Sequence, residues 1–495
     1  MTAVAERLQR AASVAELAVA AGPDATQRLT DDDERRMLEA RDQLDAYVAA
    51  GGEVYGVTTG FGPLASYAAA PDGAGHGAGL IEHLAVGQGA PLSREATRLT
   101  VWLRLEGMKA GHSAVDPELW RRLADLWNDG FTPVVPSEGS VSASGDLVPL
   151  AHAARAFAGE GEAWWRDERR PAREVLASLG AEPIRWDARS ALAFVNGSSA
   201  GLAVTCLNHL ALTAMSRLEA ALSGRIAFLL GLSREPFSTR LADVRRDHGQ
   251  ALAAQWIGAE LPLDGVPRAL QEPYSLRCPP QVVGAVLDQL RALDPLLARE
   301  ASGCSDNPVV VDGRVLHGGN FHAALVGLCS DQLALCAHQI AYPAERQLAV
   351  LVDPRLNGGL PPLLAPRPGA ASGLAGVQLA ATSFVARIRQ LASPSTLTAI
   401  PTNLWNQDHV PMALNGAVAT ADAIRLGWLV LGALALAVTQ VAFLVDESPT
   451  GEPWRTLAQA IRPVDVDRAL DEDVRTAAEI GEQWARRQLQ QREVG

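Results

Sequence analysis

Gly139-Ser140-Val141-Ser142-Ala143-Ser144-Gly145-Asp146-Leu147-Val148-Pro149-Leu150-Ala151-His152 is the stretch on which the reading of this chain turns. Gly145 has no Cβ, so its amide nitrogen can approach the carbonyl carbon of Ala143, a backbone state few residues reach. Joining that nitrogen to that carbon, with loss of two waters, would give a conjugated, electron-poor imidazolone. No ordinary side chain is an electrophile of this kind. A chain that carries one does chemistry on an amine or an aromatic ring. Runs of Ser, Ala and Gly also make plain turns, so the surrounding sequence has to decide.

Outward from this stretch, Ala, Leu and Arg recur at helical spacing over 32–50, 94–109, 117–128, 200–230 and 373–391. Alternating strand-like runs are few. A hairpin signal appears only at 308–316, where Asp312-Gly313 marks the turn. Loops rich in Gly and Pro are predicted at 68–79, 130–149, 357–369 and 392–408. Composition shifts near 186–196, which predicts an N-terminal domain over 1–195 and a helical C-terminal domain over 196–495.

The chain has 495 residues, 48% of them hydrophobic, enough for a large core. Its 43 basic and 56 acidic residues leave a net charge of -13 without a basic block, so nucleic acid is not an expected partner. Five cysteines (Cys206, Cys278, Cys304, Cys329, Cys336) show no CxxC spacing and read as reduced and buried, as in a cytoplasmic protein. The start, Met1-Thr2-Ala3-Val4-Ala5-Glu6-Arg7, lacks a signal-peptide core. The twenty residues 426–445 carry no charge and are long enough to span a bilayer. Thr439 and Gln440 interrupt them and no basic flank accompanies them, so we expect a buried helix of a large bundle and no membrane partner.

Further groups that could carry chemistry lie in separate stretches. Tyr55-Gly56-Val57-Thr58-Thr59-Gly60-Phe61-Gly62 is a Gly-rich loop between helices. Phe194-Val195-Asn196-Gly197 is followed by Ser198-Ser199-Ala200-Gly201, so that 197–201 fits the G-x-S-x-G elbow of serine hydrolases. That elbow needs a preceding strand and an α/β sheet, which a helical chain does not offer. Gln271-Glu272-Pro273-Tyr274-Ser275-Leu276-Arg277-Cys278 holds an arginine able to grip a carboxylate through two parallel hydrogen bonds. His317-Gly318-Gly319-Asn320-Phe321-His322 and Asn403-Leu404-Trp405-Asn406-Gln407-Asp408-His409-Val410 come last. His317 and His322 are five residues apart across glycines, a poor ligand spacing, and no metal is expected.

Taken together, the stretch Gly-Ser-x-x-Ala-Ser-Gly-Asp-Leu-x-Pro-Leu-Ala-His at 139–152, the Tyr-Gly-x-x-Thr-Gly-Phe-Gly loop and the Gln271–Cys278 segment resemble the aromatic amino acid ammonia-lyase and aminomutase family of histidases and phenylalanine and tyrosine ammonia-lyases. The resemblance runs from about Tyr55 to Ala413. It implies a mainly α, histidase-like (fumarase/aspartase-like) fold, with a central bundle of long helices and a smaller N-terminal domain that bears the tripeptide. It also implies that Ala143-Ser144-Gly145 cyclises by itself to 4-methylidene-imidazol-5-one (MIO), with no metal or diffusible cofactor. Tyr55 then corresponds to the base that removes the β-proton, and Arg277 to the clamp on the substrate carboxylate. Asn196, Tyr274 and Gln271 fall near the electrophile. Gly62, Asn320, Phe321, Asn406 and Gln407 fall around the substrate, Phe321 as the aromatic packed on MIO. Many members carry Asn where this chain has Thr58. Gln407 stands where histidases carry Glu, and a neutral amide suits an uncharged ring. A free tyrosine has a pKa of about 10, so the site must favour phenolate, for which helix N-termini are suited.

Within the resemblance, Glu82-His83-Leu84-Ala85-Val86-Gly87-Gln88-Gly89 should line the substrate ring. Tyrosine lyases resemble His-Leu here, phenylalanine lyases Phe-Leu and histidases Ser-His; this chain has His83-Leu84. A buried phenol needs a hydrogen-bond partner, and a pocket that offers one rejects the analogue without it. The expected reaction is therefore conversion of L-tyrosine to trans-p-coumarate and ammonia, in a homotetramer whose sites are shared between subunits. Phenylalanine or histidine as substrate, or 2,3-aminomutase chemistry on tyrosine, are the alternatives.

Overall fold

In a computed structural model the described residues are 13–69, 72–261 and 268–493. They are mainly helical, with short strands only. The helices begin where side chains can satisfy their orphan amides. Thr30 and Asp33 form a capping box that opens Asp31–Ala49. Ser93 caps Arg94–Lys109, and Asp116, followed by Pro117, caps Pro117–Asn128. Asp187 accepts from the amides of Arg189 and Ser190 at the start of Ala188–Val195. The hairpin pairs Val309–Val311 with Arg314–Leu316, and both turn residues, Asp312 and Gly313, have positive φ (49° and 73°).

Two compact units divide the chain. The first comprises 1–207, 293–331 and 394–418; the second comprises 208–292, 332–393 and 419–495. The division falls within four long helices, Ser199–Leu229, Pro279–Ala301, Ala324–Leu351 and Ala413–Leu444.

In the first unit, Ala40 and Leu44 of the helix Asp31–Ala49 pack with Val54, Ala114 and Val310, and Val57 and Val315 join them. Val54 and Val57 flank Tyr55, so this core fixes the root of the tyrosine loop. Each fully buried Val contributes about 1.5–3 kcal/mol. The segment 68–79 departs from its expected loop: a helix runs over Gly73–Leu84. Glycine is a weak helix former, but here it lets two backbones meet. A Cβ at Gly77 would lie 2.5–2.6 Å from backbone atoms of Trp186 and Asp187, at the start of the helix Ala188–Val195. Close packing on that neighbour outweighs the low propensity.

In the second unit, Arg217 lies between the rings of Trp256 (5.4 Å) and Trp484 (4.4 Å). Gln440 bridges Leu364 and Val464 by hydrogen bonds to the backbone of both. Gln440 sits in the helix Ala413–Leu444, which among the described residues is the one long and apolar enough to cross a bilayer; 83% of its most apolar window is buried. Cys206, Cys329 and Cys336 are buried, whereas Cys278 and Cys304 are half-buried because each sits where the chain leaves a helix.

Candidate active site

The tripeptide precedes the helix Leu147–Phe157 and is held through its backbone. Ser142 and Gly145 have φ of 56° and 71°, left-handed values that suit the glycine and strain the serine. The backbones of Ala143 and Gly145 pair across Ser144, and Gly145 pairs in turn with Gly197. A Cβ at Gly145 would collide with the backbone of Gly197, and one at Gly197 with the guanidinium of Arg104. The Asp146 amide donates to the Gly197 carbonyl at 2.7 Å.

Asp146 anchors this loop from behind. Its buried carboxylate accepts from the Ser142 hydroxyl at 2.7 Å, the Ser140 hydroxyl at 2.9 Å and the Gly201 amide at 2.7 Å. Burial pushes its pKa up, and these donors pull the other way. Two other segments, around Ala323 and around Met412–Leu414, reach the same loop. Leu414 N–H donates to the Ser142 hydroxyl at 3.1 Å. Met412 N–H donates to the Val141 carbonyl at 3.1 Å, and Ala323 N–H to that of Ser142 at 3.4 Å.

Beside Ser144 lies a cavity of about 530 Å³. Of the residues expected from the sequence, Tyr55, Gly62, His83 and Leu84 line it, together with Ser144, Asn196 and Gln407. Asn196 follows the last turn of Ala188–Val195, and its Nδ2 donates to the Ser144 carbonyl at 3.0 Å. The Asn196 Oδ1 is buried and has no hydrogen-bond partner. Gln407 Nε2 donates to the Ser144 hydroxyl at 2.9 Å. It does so from a tight loop closed by a Thr402–Gln407 bridge, in which Asn403, Leu404 and Trp405 all have positive φ.

The Tyr55 phenol oxygen accepts from the Gly62 N–H at 2.7 Å. Gly62 opens the one-turn 3-10 helix Gly62–Leu64, so the donor is an orphan amide of the kind found at helix N-termini. Burial raises the phenol pKa and this N–H opposes the rise. The Tyr55 amide donates to His317 Nε2 at 3.1 Å, while His322 Nε2 lies 3.1 Å from His409 Nδ1. The two histidines of that stretch therefore serve different neighbours. Thr58 uses its hydroxyl to accept from the Val54 amide at 2.8 Å, fastening the turn behind Tyr55.

His83 is in the last turn of Gly73–Leu84. Its Nδ1 lies 2.9 Å from the Gly79 carbonyl. That pairing places the proton on Nδ1 and leaves the Nε2 lone pair as an acceptor.

Asn320, Phe321 and Asn406 do not line this cavity. Gln271, Tyr274 and Arg277 belong to the second unit. There Arg277 ends the helix Tyr274–Arg277 with its guanidinium 4.7 Å from the Tyr274 ring centroid, and its Nε is buried without a hydrogen-bond partner. The hydrolase motif lacks its strand: Ala188–Val195 ahead of it is helical, and Ser198 and Ser199 are buried. Sequence reasoning passed over His76 and Asn403, which line the cavity, and the serine–aspartate anchor. His76 was reachable by counting two helical turns back from His83, had 68–79 not read as a loop.

Fold and site define a mainly helical enzyme in which a strained turn of backbone and a tyrosine share one cavity. The profile of the aromatic amino acid lyases matches residues 12–463, and the chain belongs to that family and is a carbon–nitrogen lyase. It is similar to the tyrosine aminomutase of Streptomyces globisporus, at 27% identity over 97% of both chains with a TM-score of 0.89. It is also similar to the histidine ammonia-lyase of Trypanosoma cruzi, at 27% identity over 96% of this chain and 93% of that one (TM-score 0.86). The phenylalanine ammonia-lyase of the yeast Rhodosporidium toruloides matches at 25% identity over 87% of this chain and 68% of its own, with a TM-score of 0.79.

Proposed function

We propose that this chain is a tyrosine ammonia-lyase that converts L-tyrosine to trans-p-coumarate and ammonia. The observation that carries the reading is His83: an imidazole with a free acceptor nitrogen in the wall of the cavity that also holds Tyr55 and Ser144.

The residues present fit an MIO group. Gly145 alone can occupy its position, the two ends of the tripeptide already pair, and Asn196 and Gln407 hold the Ser144 carbonyl and hydroxyl. The orphaned Asn196 Oδ1 is an acceptor waiting for a donor such as the substrate amine. When formed, MIO would supply an electrophilic carbon, the chemistry that turns an amine into a leaving group. Tyr55, as phenolate, takes the β-proton at its Oη. The C–H electron pair becomes the Cα=Cβ bond, and the C–N bond breaks to release ammonia. The Gly62 N–H stabilises the phenolate before transfer. His83 Nε2 accepts a hydrogen bond from the para-hydroxyl of the ring. Arg277, whose Nε lacks a partner, suits the carboxylate.

Purified protein incubated with tyrosine should develop the absorbance of p-coumarate. Turnover of phenylalanine or histidine with none of tyrosine would sink the substrate assignment. A second reading, tyrosine 2,3-aminomutase, draws on the likeness to the Streptomyces globisporus enzyme; chiral analysis for β-tyrosine separates the two. We further infer a homotetramer, which light scattering on the purified chain tests.

A further inference from the structure

We propose that His76 is a positioning residue for Tyr55: by stacking on Phe61 it fixes the Gly62 N–H on the phenol oxygen. The proposal rests on Tyr55 being the base.

The His76 and Phe61 rings are stacked, with centroids 4.5 Å apart and planes 11° from parallel. Phe61 also meets Tyr55 edge to face, at 6.5 Å and 85°. On a third side it presses on the loop itself, since a Cβ at Gly56 would lie 2.7 Å from Phe61 Cε1. Phe61 is thus confined between His76, Tyr55 and Gly56. The next residue, Gly62, has φ of 55° and donates to Tyr55 Oη at 2.7 Å. The direction of that N–H follows the placement of the Phe61 ring one residue earlier.

His76 is a firm support. Its helix is seated against the backbone of Trp186 and Asp187 through Gly77, one residue on. The buried Nε2 of the imidazole has no hydrogen-bond partner, so that nitrogen does not hold the ring in place. Its flat face remains as its use, and stacked rings attract beyond the area they bury. Among the residues that line the cavity the titratable groups beside Tyr55 are His76 and His83, and His317 accepts from the Tyr55 amide. Among the described residues no carboxylate lines the cavity, and the Gly62 N–H is the hydrogen bond on the phenol oxygen through which the loop can tune it.

The test replaces the chain's five tyrosines with 3-fluorotyrosine and follows Tyr55 by fluorine NMR, its resonance assigned by Tyr55→Phe. His76→Ala is expected to move the Tyr55 titration up by about one pH unit, the size of shift a lost hydrogen bond to the charged form produces. In the same variant kcat for the best aromatic amino acid should fall roughly tenfold, as for one hydrogen bond to a charged group, with KM little changed. His76→Phe, which keeps the flat face, should restore both. His76→Leu keeps bulk without a flat face and stands in where the alanine variant does not fold. A His76→Ala or His76→Leu protein in which Tyr55 titrates as in the wild type would overturn the proposal, as would a His76→Phe protein as impaired as His76→Ala. Retained turnover in Tyr55→Phe would instead remove Tyr55 as the base, and the fluorine titration reads the stack whether or not any substrate turns over.

Discussion

The loops 140–146 and 55–62 reach the same cavity but are held in opposite ways. The first is fastened on every side: its buried Asp146 takes three hydrogen bonds, and amides from Ala323, Met412 and Leu414 add three more. The second is rooted by Val54 and Val57 and reaches its working end with a ring stack and a single N–H on the phenol. Under the proposed function the difference follows from the two tasks. Closing a ring from backbone atoms requires them to be held near contact against their own strain. A base that takes a proton and later gives it up is served by a lighter hold, which one hydrogen bond can tune.

The comparison breaks most completely at Gly145. Gly145→Ala places a Cβ on the Gly197 backbone at a φ of 71°. Turnover should fall to background, and the intact mass should show the two waters retained. A variant that still loses them would mean that the turn is less tightly determined than its packing indicates. Tyr55→Phe should separate the loops: the intact mass should still show the loss of two waters, but kcat should be lower by a factor on the order of 10²–10⁴, the usual worth of a general base. The pH profile carries the same information. The base acts deprotonated and burial raises its pKa, so kcat should climb through the alkaline range and fall as pH drops below the phenol pKa; a profile flat above neutrality would contradict this. His83→Phe should leave both loops intact and move preference from tyrosine toward phenylalanine by roughly 10- to 100-fold in kcat/KM, read from paired assays. The smallest effect on turnover belongs to Ser142→Ala, which strips two of several supports, the hydroxyl's bond to Asp146 and its bond from the Leu414 amide: about 2–3 kcal/mol of stability, read as a lower thermal midpoint, with cyclisation retained because Ser140 and Gly201 still hold Asp146.

Where sequence and structure part, the cause is packing. The helices at 94–109 and 117–128 were legible because each carries its own cap and apolar face. So was the hairpin, because Asp312-Gly313 is a local signal. The helix Gly73–Leu84 was not, since its glycines favour a loop until the backbone of Trp186 and Asp187 is set against Gly77. With that helix went His76. The domain boundary expected near 195 was a property of composition, whereas the compact units draw 293–331 and 394–418 together with 1–207, which no local signal announces.

What the sequence by itself determined is the chemistry on offer: a tripeptide able to cyclise, a tyrosine between glycines, an arginine for a carboxylate, a histidine for a phenol. These are matters of residue type and short spacing, and covalent chemistry is local. Tertiary structure alone decided how they are held. Residues as distant in the chain as Ser144 and Gln407 meet at 2.9 Å, and a buried aspartate braces the loop that carries the tripeptide. One backbone N–H meets the Tyr55 phenol, beside a ring stack on an unforeseen helix. The first of these contacts joins segments more than two hundred residues apart, the others close shorter loops, and burial, which no window of sequence measures, gives each its strength.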